Sequence, residues 1–309
     1  MNIVLTISPI FLVVLLGIFA RRWDFLPQEF VGPANRLAMN LAIPALLFRA
    51  VYKAPMDLSL QLAPILAGMG VIIATSLAAV FVSRFLLDPA GERPGTRATW
   101  IQCTYHGNLG FMGLATVFYS QGQAGLAVAG LLVAFMNLTH NLISVLVLSR
   151  LGSKAGSKGS SWRGFLANPI ILSTAGGILA GALGLPLPQF LDRTLSILAG
   201  MGLPLALLII GATLDLGNIR VAWRPLAGLT AFKLFLMPAA GLGLMLLLGQ
   251  AGLAAAAVVV LLAQPCGTLV AVMAGEMGGD GQLGAAAVSL TTALSLFTLT
   301  LWLFIVHAL

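Results

Sequence analysis

Apolar residues follow one another along this chain in blocks of about 20, the length that crosses a bilayer as a helix. Short polar segments separate the blocks, and the third, fifth and tenth blocks are long enough to tilt in the bilayer. The pattern predicts an all-α integral membrane protein with ten transmembrane helices, here called spans one to ten, at residues 3–20, 35–52, 62–87, 98–119, 123–149, 166–184, 189–214, 225–248, 252–276 and 282–308.

The composition agrees with this pattern, since 59% of the residues are hydrophobic and only 8% are charged. The formal net charge of +7 does not indicate nucleic-acid binding, because the basic residues lie mostly between the spans or near their ends. With the N-terminus outside, only Arg49, Lys53 and Arg193 fall on the outer side. Positively charged loops stay in the cytoplasm, so we expect a multi-pass inner-membrane protein with both termini outside. The twelve cytoplasmic cations are Arg21, Arg22, Arg36, Arg84, Arg93, Arg97, Arg150, Lys154, Lys158, Arg163, Arg220 and Arg224.

The two halves of the chain resemble each other at an offset of about 160 residues. We therefore predict a five-helix repeat at 1–149, a cytoplasmic Gly/Ser-rich linker at 150–164 and a second five-helix repeat at 165–309. Because five is an odd number, the second repeat enters the membrane from the opposite side. Inverted repeats are typical of secondary transporters, which bind substrate at discontinuous helices near the midplane. The aligned pairs are Pro9 with Pro169, Gly17 with Gly177, Pro44 with Pro204, and, at an offset of 159, "GQAG" at 122–125 with "GQLG" at 281–284.

Spans four and nine are predicted to be interrupted at equivalent depth. At the offset of 159, residues 106–108 in "HGNLGFMG" superpose on 265–267 in "LLAQPCGTLV". Proline removes a backbone donor and glycine permits unwound dihedrals, and such breaks persist in lipid only where they face protein or a wet cavity. Two half-helix N-termini with free N–H groups would suit a carboxylate. The alternative is that the glycines allow close helix packing and Asn108 bonds a neighbour. The predicted substrate-binding residues are Gly107, Asn108, Gly110, Gln264, Pro265, Gly267 and, from span five, Asn137.

On span five, Asn137, His140, Asn141 and Ser144 have the spacing of one helical face. This face lines the cavity or holds helices together, and Asn137 is the better ligand because it lies deeper than Asn141. His140 and His106 are candidates for protonatable coupling groups. The alternative is that each is a neutral histidine bonded to backbone.

Lys233 lies about nine residues into span eight, where a charge costs on the order of 3 kcal/mol. Three interpretations follow: Lys233 reaches back to the interface, it pairs with the substrate anion, or it replaces a coupling cation by bonding unwound carbonyls. Glu276 and Asp280 near the end of span nine are interpreted as interfacial. Cys103 and Cys266 both fall within spans and are interpreted as structural.

Five segments together resemble the auxin efflux carrier family, and specifically its bacterial permeases. They are "GNLGFMG" in span four, "NLAIPALLF" in span two, "NPIILSTAGGILAGALGLPLP" in span six, "MGLPLALLIIGATL" in span seven and "AQPCGTLVAVMAGEMGGD" in span nine. The resemblance implies two inverted five-helix repeats with helices four and nine broken and crossing, similar to bile acid sodium symporters. It implies an elevator mechanism in which spans three to five and eight to ten move against a scaffold of one, two, six and seven. It also allows a homodimer through the scaffold helices.

The resemblance implies organic anions as substrates, either auxin-like or small mono- or dicarboxylates such as malate and malonate. The family's crossover asparagine maps onto Asn108 and its span-nine proline onto Pro265. Many relatives carry a proline where this chain has Leu114, and the acidic sodium ligands of the bile acid symporters have no counterpart beside Pro265. Lys233 as a built-in cation, proton coupling and passive uniport all remain open.

The first hypothesis is therefore a carrier of a small organic anion across the cytoplasmic membrane. The alternative is a sodium-coupled symporter of bulkier, bile-acid-like or vitamin-like acids. An intramembrane enzyme is not favoured, because the spans hold no paired acids, metal-ligand cluster or activated serine. A channel is not favoured either, because charged pore rings are missing from the sequence. We expect no catalytic residue, metal or cofactor.

Overall fold

The computed structural model describes residues 3–53, 58–87, 95–152, 169–214 and 223–308. In these ranges the chain is helical throughout, apart from loops and one isolated β-bridge. The described α-helices are α1 Ile3–Arg22, α2 Gln28–Leu37, α3 Ile43–Lys53, α4 Leu58–Leu86, α5 Thr96–Tyr105, α6 Leu114–Leu151, α7 Pro169–Ala182, α8 Gln189–Thr213, α9 Trp223–Ala231, α10 Met237–Leu247, α11 Gly252–Leu262, α12 Leu269–Glu276 and α13 Gly281–His307.

The predicted all-α class is confirmed for the described residues. Five of their helical segments are long and apolar enough to cross a membrane. Shorter apolar helices occur at Pro169–Ala182 and Gly252–Leu262. The count of ten membrane helices and the inverted repeat stay predictions, and most of the linker predicted at 150–164 lies outside the described residues. The five long segments are Gln61–Leu86, Leu109–Leu151, Gln189–Thr213, Trp223–Leu247 and Gly281–His307.

Three short segments of the described chain are π-helical, at Ala38–Ala42, Leu109–Gly113 and Phe232–Leu236. Each contains one wide turn continuous with an α-helix, and such turns are frequent at functional sites. The segment Leu109–Gly113 directly follows the predicted interruption of span four, and Phe232–Leu236 carries Lys233. Farther along, α6 is interrupted at Gly122, whose φ of 68° and ψ of −159° are not helical.

The chain divides into two compact units. Unit 1 comprises residues 1–62, 110–134 and 161–213. Its helices α1 and α8 approach so closely that a side chain at Gly17 would overlap the backbone of Leu208, and one at Gly211 would overlap Val14. Such contacts between glycines let helix backbones pack directly against each other in lipid.

Helices α3 and α7 of unit 1 are also packed through glycine. A Cβ on Gly177 would lie 2.8 Å from the carbonyl oxygen of Phe48. At the end of α3, Arg49 and Lys53 both bind Asp192 of α8, at 2.7 Å and 2.8 Å. Two of the three cations assigned to the outer side therefore share one carboxylate within unit 1.

Unit 2 comprises residues 63–109, 135–160 and 214–309. Indole N–H groups tie its helices together: Trp100 donates to the carbonyl of Pro225 at 2.8 Å, and Trp302 donates to that of Leu234 at 2.8 Å. Asp280 accepts from the N–H groups of Gln282 and Leu283 and so caps α13. These contacts fix α5, α9 and α13 around the two predicted interruptions, which both lie in unit 2.

Candidate functional site

The structure interrupts both helices at the predicted positions. Helix α5 ends at Tyr105, and helical structure resumes only at Leu109. Helix α11 ends at Leu262, and α12 begins at Leu269. Pro265 explains the second break, since it has no N–H to donate and its ring clashes with the preceding turn. The prediction that spans four and nine are broken is confirmed.

The two interruptions are hydrogen-bonded to each other. The N–H of Asn108 donates to the carbonyl of Pro265 at 2.8 Å, and the N–H of Gly267 donates to that of His106 at 2.9 Å. Together they form a short antiparallel bridge centred on Gly107 and Cys266. The two bonds interchange under the sequence offset of 159, because His106 corresponds to Pro265 and Asn108 to Gly267. The local geometry of the bridge thus has the two-fold exchange that the predicted alignment requires.

The bridge changes the expected availability of backbone donors. The sequence led us to expect free N–H groups at both breaks, but those of Asn108 and Gly267 are consumed by the bridge. The N–H groups of Thr268 and Leu269, where α12 begins, have no acceptor among the described residues. The positive end of the α12 dipole and these two N–H groups are therefore backbone features suited to an anion.

Three buried amide side chains surround the bridge with unfilled hydrogen-bonding capacity. Asn108 is only 6% exposed, and its Nδ2 has no acceptor among the described residues. Gln264 donates to the carbonyl of Val260 at 2.9 Å, and Gln102 donates to the sulfur of Met273 at 3.6 Å, but neither Oε1 has a described donor. Because an unpaired buried polar group costs about 1–3 kcal/mol, these atoms are suited to a polar guest.

Lys233 reaches the bridge from the π-helical segment Phe232–Leu236. Its side chain is completely buried, which excludes the interpretation that it extends back to the interface. Its Nζ donates to the carbonyl of Leu262 at 2.9 Å and to the sulfur of Met237 at 3.3 Å. It would also lie 3.2 Å from a Cβ on Gly107. No carboxylate pairs with this ammonium in the described part of the chain.

The predicted polar face of span five divides into two parts. Ser144 is buried and lies 3.0 Å from Nδ1 of His106 and 3.1 Å from the hydroxyl of Tyr105. The ring of His140 stacks on that of His106, with their centroids 4.8 Å apart. Asn137, by contrast, is only partly buried, and no described hydrogen bond brings it to the bridge. The alternative interpretation expected His106 to be bonded to backbone. In the structure its described hydrogen bond is to the hydroxyl of Ser144.

Several contributors to the site were not foreseen. The hydroxyl of Thr291 accepts the N–H of Cys266 at 3.0 Å, and the Cys266 thiol donates to the carbonyl of Cys103 at 3.0 Å. In the sequence, Thr291 is visible only as a hydroxyl residue in the middle of an apolar span. Gly110, predicted to bind substrate, belongs to unit 1, where a Cβ would meet only Ile170 at 3.6 Å.

Metal ligands do not cluster in the part of the chain that the structure describes: no group of three or more His, Cys, Asp or Glu side chains converges there. The chemistry of the site is that of a buried cation beside unpaired amide groups and a helix N-terminus. This arrangement can hold an anion by hydrogen bonding without covalent chemistry.

Comparison with known proteins finds one matching family and two relatives that align along nearly the whole chain. The sequence profile of a family described as "Membrane transport protein" matches residues 2–160 and 155–303. A protein of Rhizobium meliloti (strain 1021), named as a candidate malonate transporter, is 27% identical over 311 residues, covering 98% of this chain and 95% of the relative. An uncharacterized transporter of Methanothermobacter thermautotrophicus is 27% identical over 303 residues, covering 96% of each chain.

Proposed function

Because the chain belongs to the membrane transport protein family, we propose that it is a secondary transporter that moves a small organic anion, a mono- or dicarboxylate, across the cytoplasmic membrane. The observation that carries this proposal is the fully buried ammonium of Lys233 beside the paired helix breaks, with no carboxylate partner among the described residues. A buried charge is stable only when it is paired. A carboxylate substrate supplies the missing negative charge.

The side chains around the bridge support a carboxylate in particular. In the described part of the chain, the Nδ2 of Asn108 is a buried donor without an acceptor, and the N–H groups of Thr268 and Leu269 at a helix N-terminus have no acceptor either. Donors to a charged acceptor form shorter and stronger bonds than neutral pairs do. The relative named for malonate transport supports a small dicarboxylate as the first compound to test.

The division of the chain into two units supports alternating access by an elevator-like motion. Unit 2 contains both helix breaks and Lys233, whereas unit 1 contains spans one, two, six and seven. We propose that unit 2 carries the substrate and that unit 1 is the scaffold, with both termini outside. Residues 110–134, the end of span four and the start of span five, group with unit 1 and not with the mobile spans that the resemblance implies. A homodimer through the scaffold helices stays a prediction.

Uptake by purified protein in proteoliposomes tests the proposal. We expect saturable uptake of radiolabelled malonate above that of empty liposomes, because the site holds several donors and one buried cation. Excess malate and indole-3-acetate, which are small carboxylates, should compete, whereas bulky taurocholate should not. Competition by taurocholate alone would favour the bile-acid-like alternative, and absence of uptake of malonate, malate and indole-3-acetate would refute the transport of small carboxylates.

A further inference from the structure

The carbonyl of Leu262 ends α11 at the position where the helix would normally continue. In an unbroken helix this oxygen would accept the N–H of Cys266, four residues later. That N–H donates instead to the hydroxyl of Thr291. The carbonyl is therefore left at the negative end of a helix dipole, where a cation is favourable. The ammonium of Lys233 occupies this position, 2.9 Å from the oxygen.

The equivalent carbonyl in the first half of the chain is capped differently. At the offset of 159, Leu262 corresponds to Cys103, whose carbonyl has likewise lost its helical donor because Gly107 lies in the break. The cap there is the neutral thiol of Cys266, at 3.0 Å. Of two positions that correspond by sequence, one thus carries a positive charge and the other does not. The two carbonyls are equivalent in the backbone, and they differ in the side chain that caps them, which is Lys233 at Leu262 and Cys266 at Cys103.

We propose that Lys233 is a tethered counter-ion that takes the place of a dissociable coupling cation, so that the protein binds and transports its carboxylate without sodium. This inference rests on the proposed function and specifies its ion dependence. An ammonium has three N–H donors. Two of those of Lys233 face the carbonyl of Leu262 and the sulfur of Met237, and the third has no acceptor among the described residues, which leaves it for the substrate.

Sodium dependence in the wild-type protein is the first test. Malonate uptake and the thermal unfolding midpoint are measured in sodium chloride and in N-methyl-D-glucamine chloride at equal ionic strength. We expect the uptake rates in the two salts to agree within about twofold and the two midpoints to agree within about 1 °C. Binding of sodium to the folded state would instead raise the midpoint in sodium chloride. A tenfold loss of uptake without sodium, or a sodium-dependent rise of the midpoint, would overturn the inference and leave anion transport intact.

Lys233→Ala is the second test, made on ligand-free protein. A tethered cap predicts that the midpoint falls by at least about 3 °C and is restored by sodium or methylammonium, because a small cation can then occupy the vacated position. If Lys233 served only to pair with the substrate, its removal would relieve an unpaired buried charge. The ligand-free midpoint would then respond to neither cation, whether it rises with loss of the buried charge or falls with the cavity left behind, and this result would overturn the inference.

Lys53→Ala is the matched control, since Lys53 is half exposed and bonds Asp192 in unit 1. Its midpoint should respond to neither sodium nor methylammonium. If Lys233→Ala does not fold, Lys233→Gln replaces it. The expected result is again that either cation raises the midpoint. Because these midpoints need no substrate, cation rescue together with absent carboxylate uptake would refute the proposed function while supporting the tethered cap.

Discussion

Replacing Asn108 with Ala is expected to reduce malonate transport strongly while leaving the protein folded. The backbone N–H of residue 108 donates to the carbonyl of Pro265, and alanine retains it, so the bridge survives. The change removes Nδ2, a buried donor that has no described acceptor in the ligand-free structure. A hydrogen bond to a charged group contributes about 1.5–3 kcal/mol, so affinity should fall about 10- to 150-fold.

Two measurements on the same preparations check this expectation. The first is malonate uptake in proteoliposomes, and the second is the thermal midpoint with and without malonate. The midpoint of Asn108→Ala without malonate should not fall, because no hydrogen bond is lost, but the stabilisation by malonate should disappear. Asn35→Ala, a substitution at an exposed asparagine in α2 of unit 1, should behave like the wild type. Uptake retained by Asn108→Ala would remove this side chain from the binding site.

The sequence was informative wherever a local rule was violated. Proline and glycines within apolar blocks located the breaks at 106–108 and 265–267, since neither residue type suits the interior of a helix. The alignment of the two halves at an offset of 159 pairs those breaks from the sequence alone. A single cation within span eight identified Lys233 as unusual, since charge is rare in hydrocarbon.

Other features depend on tertiary packing and could not be predicted. Periodicity placed Asn137 and His140 on one helical face, but only the packing of α6 decides that His140 stacks on His106 while Asn137 is partly exposed. The wide turn at Phe232–Leu236 shifts the direction of Lys233 in a way that a regular helical repeat does not anticipate. The consumption of two N–H groups by the bridge likewise requires knowing how closely the two breaks approach.

The close approach at the bridge implies a strong effect of a side chain at Gly267. A Cβ there would lie 3.1 Å from both the carbonyl oxygen of Gly107 and the ring of His106, closer than ordinary van der Waals contact. The further bulk of valine must separate the two breaks and weaken the bond from the Gly267 N–H to the His106 carbonyl. Forcing extra methyl groups into a packed interior costs about 1–3 kcal/mol.

We therefore expect Gly267→Val to lower the thermal midpoint and to reduce malonate uptake about 5- to 150-fold, since a strain of about 1–3 kcal/mol at the site corresponds to that change in an equilibrium constant. Gly275→Val is the control, eight residues later in α12, because a Cβ at Gly275 would meet no atom within 4 Å outside its own helix backbone and chain neighbours. The free energy of unfolding of Gly275→Val should differ from that of the wild type by no more than about 1 kcal/mol, as is usual for a substitution at an exposed helical position. Equal effects of the two substitutions on uptake would mean that the pairing of the breaks is not required for transport, whereas a loss confined to Gly267→Val locates that requirement at the bridge itself.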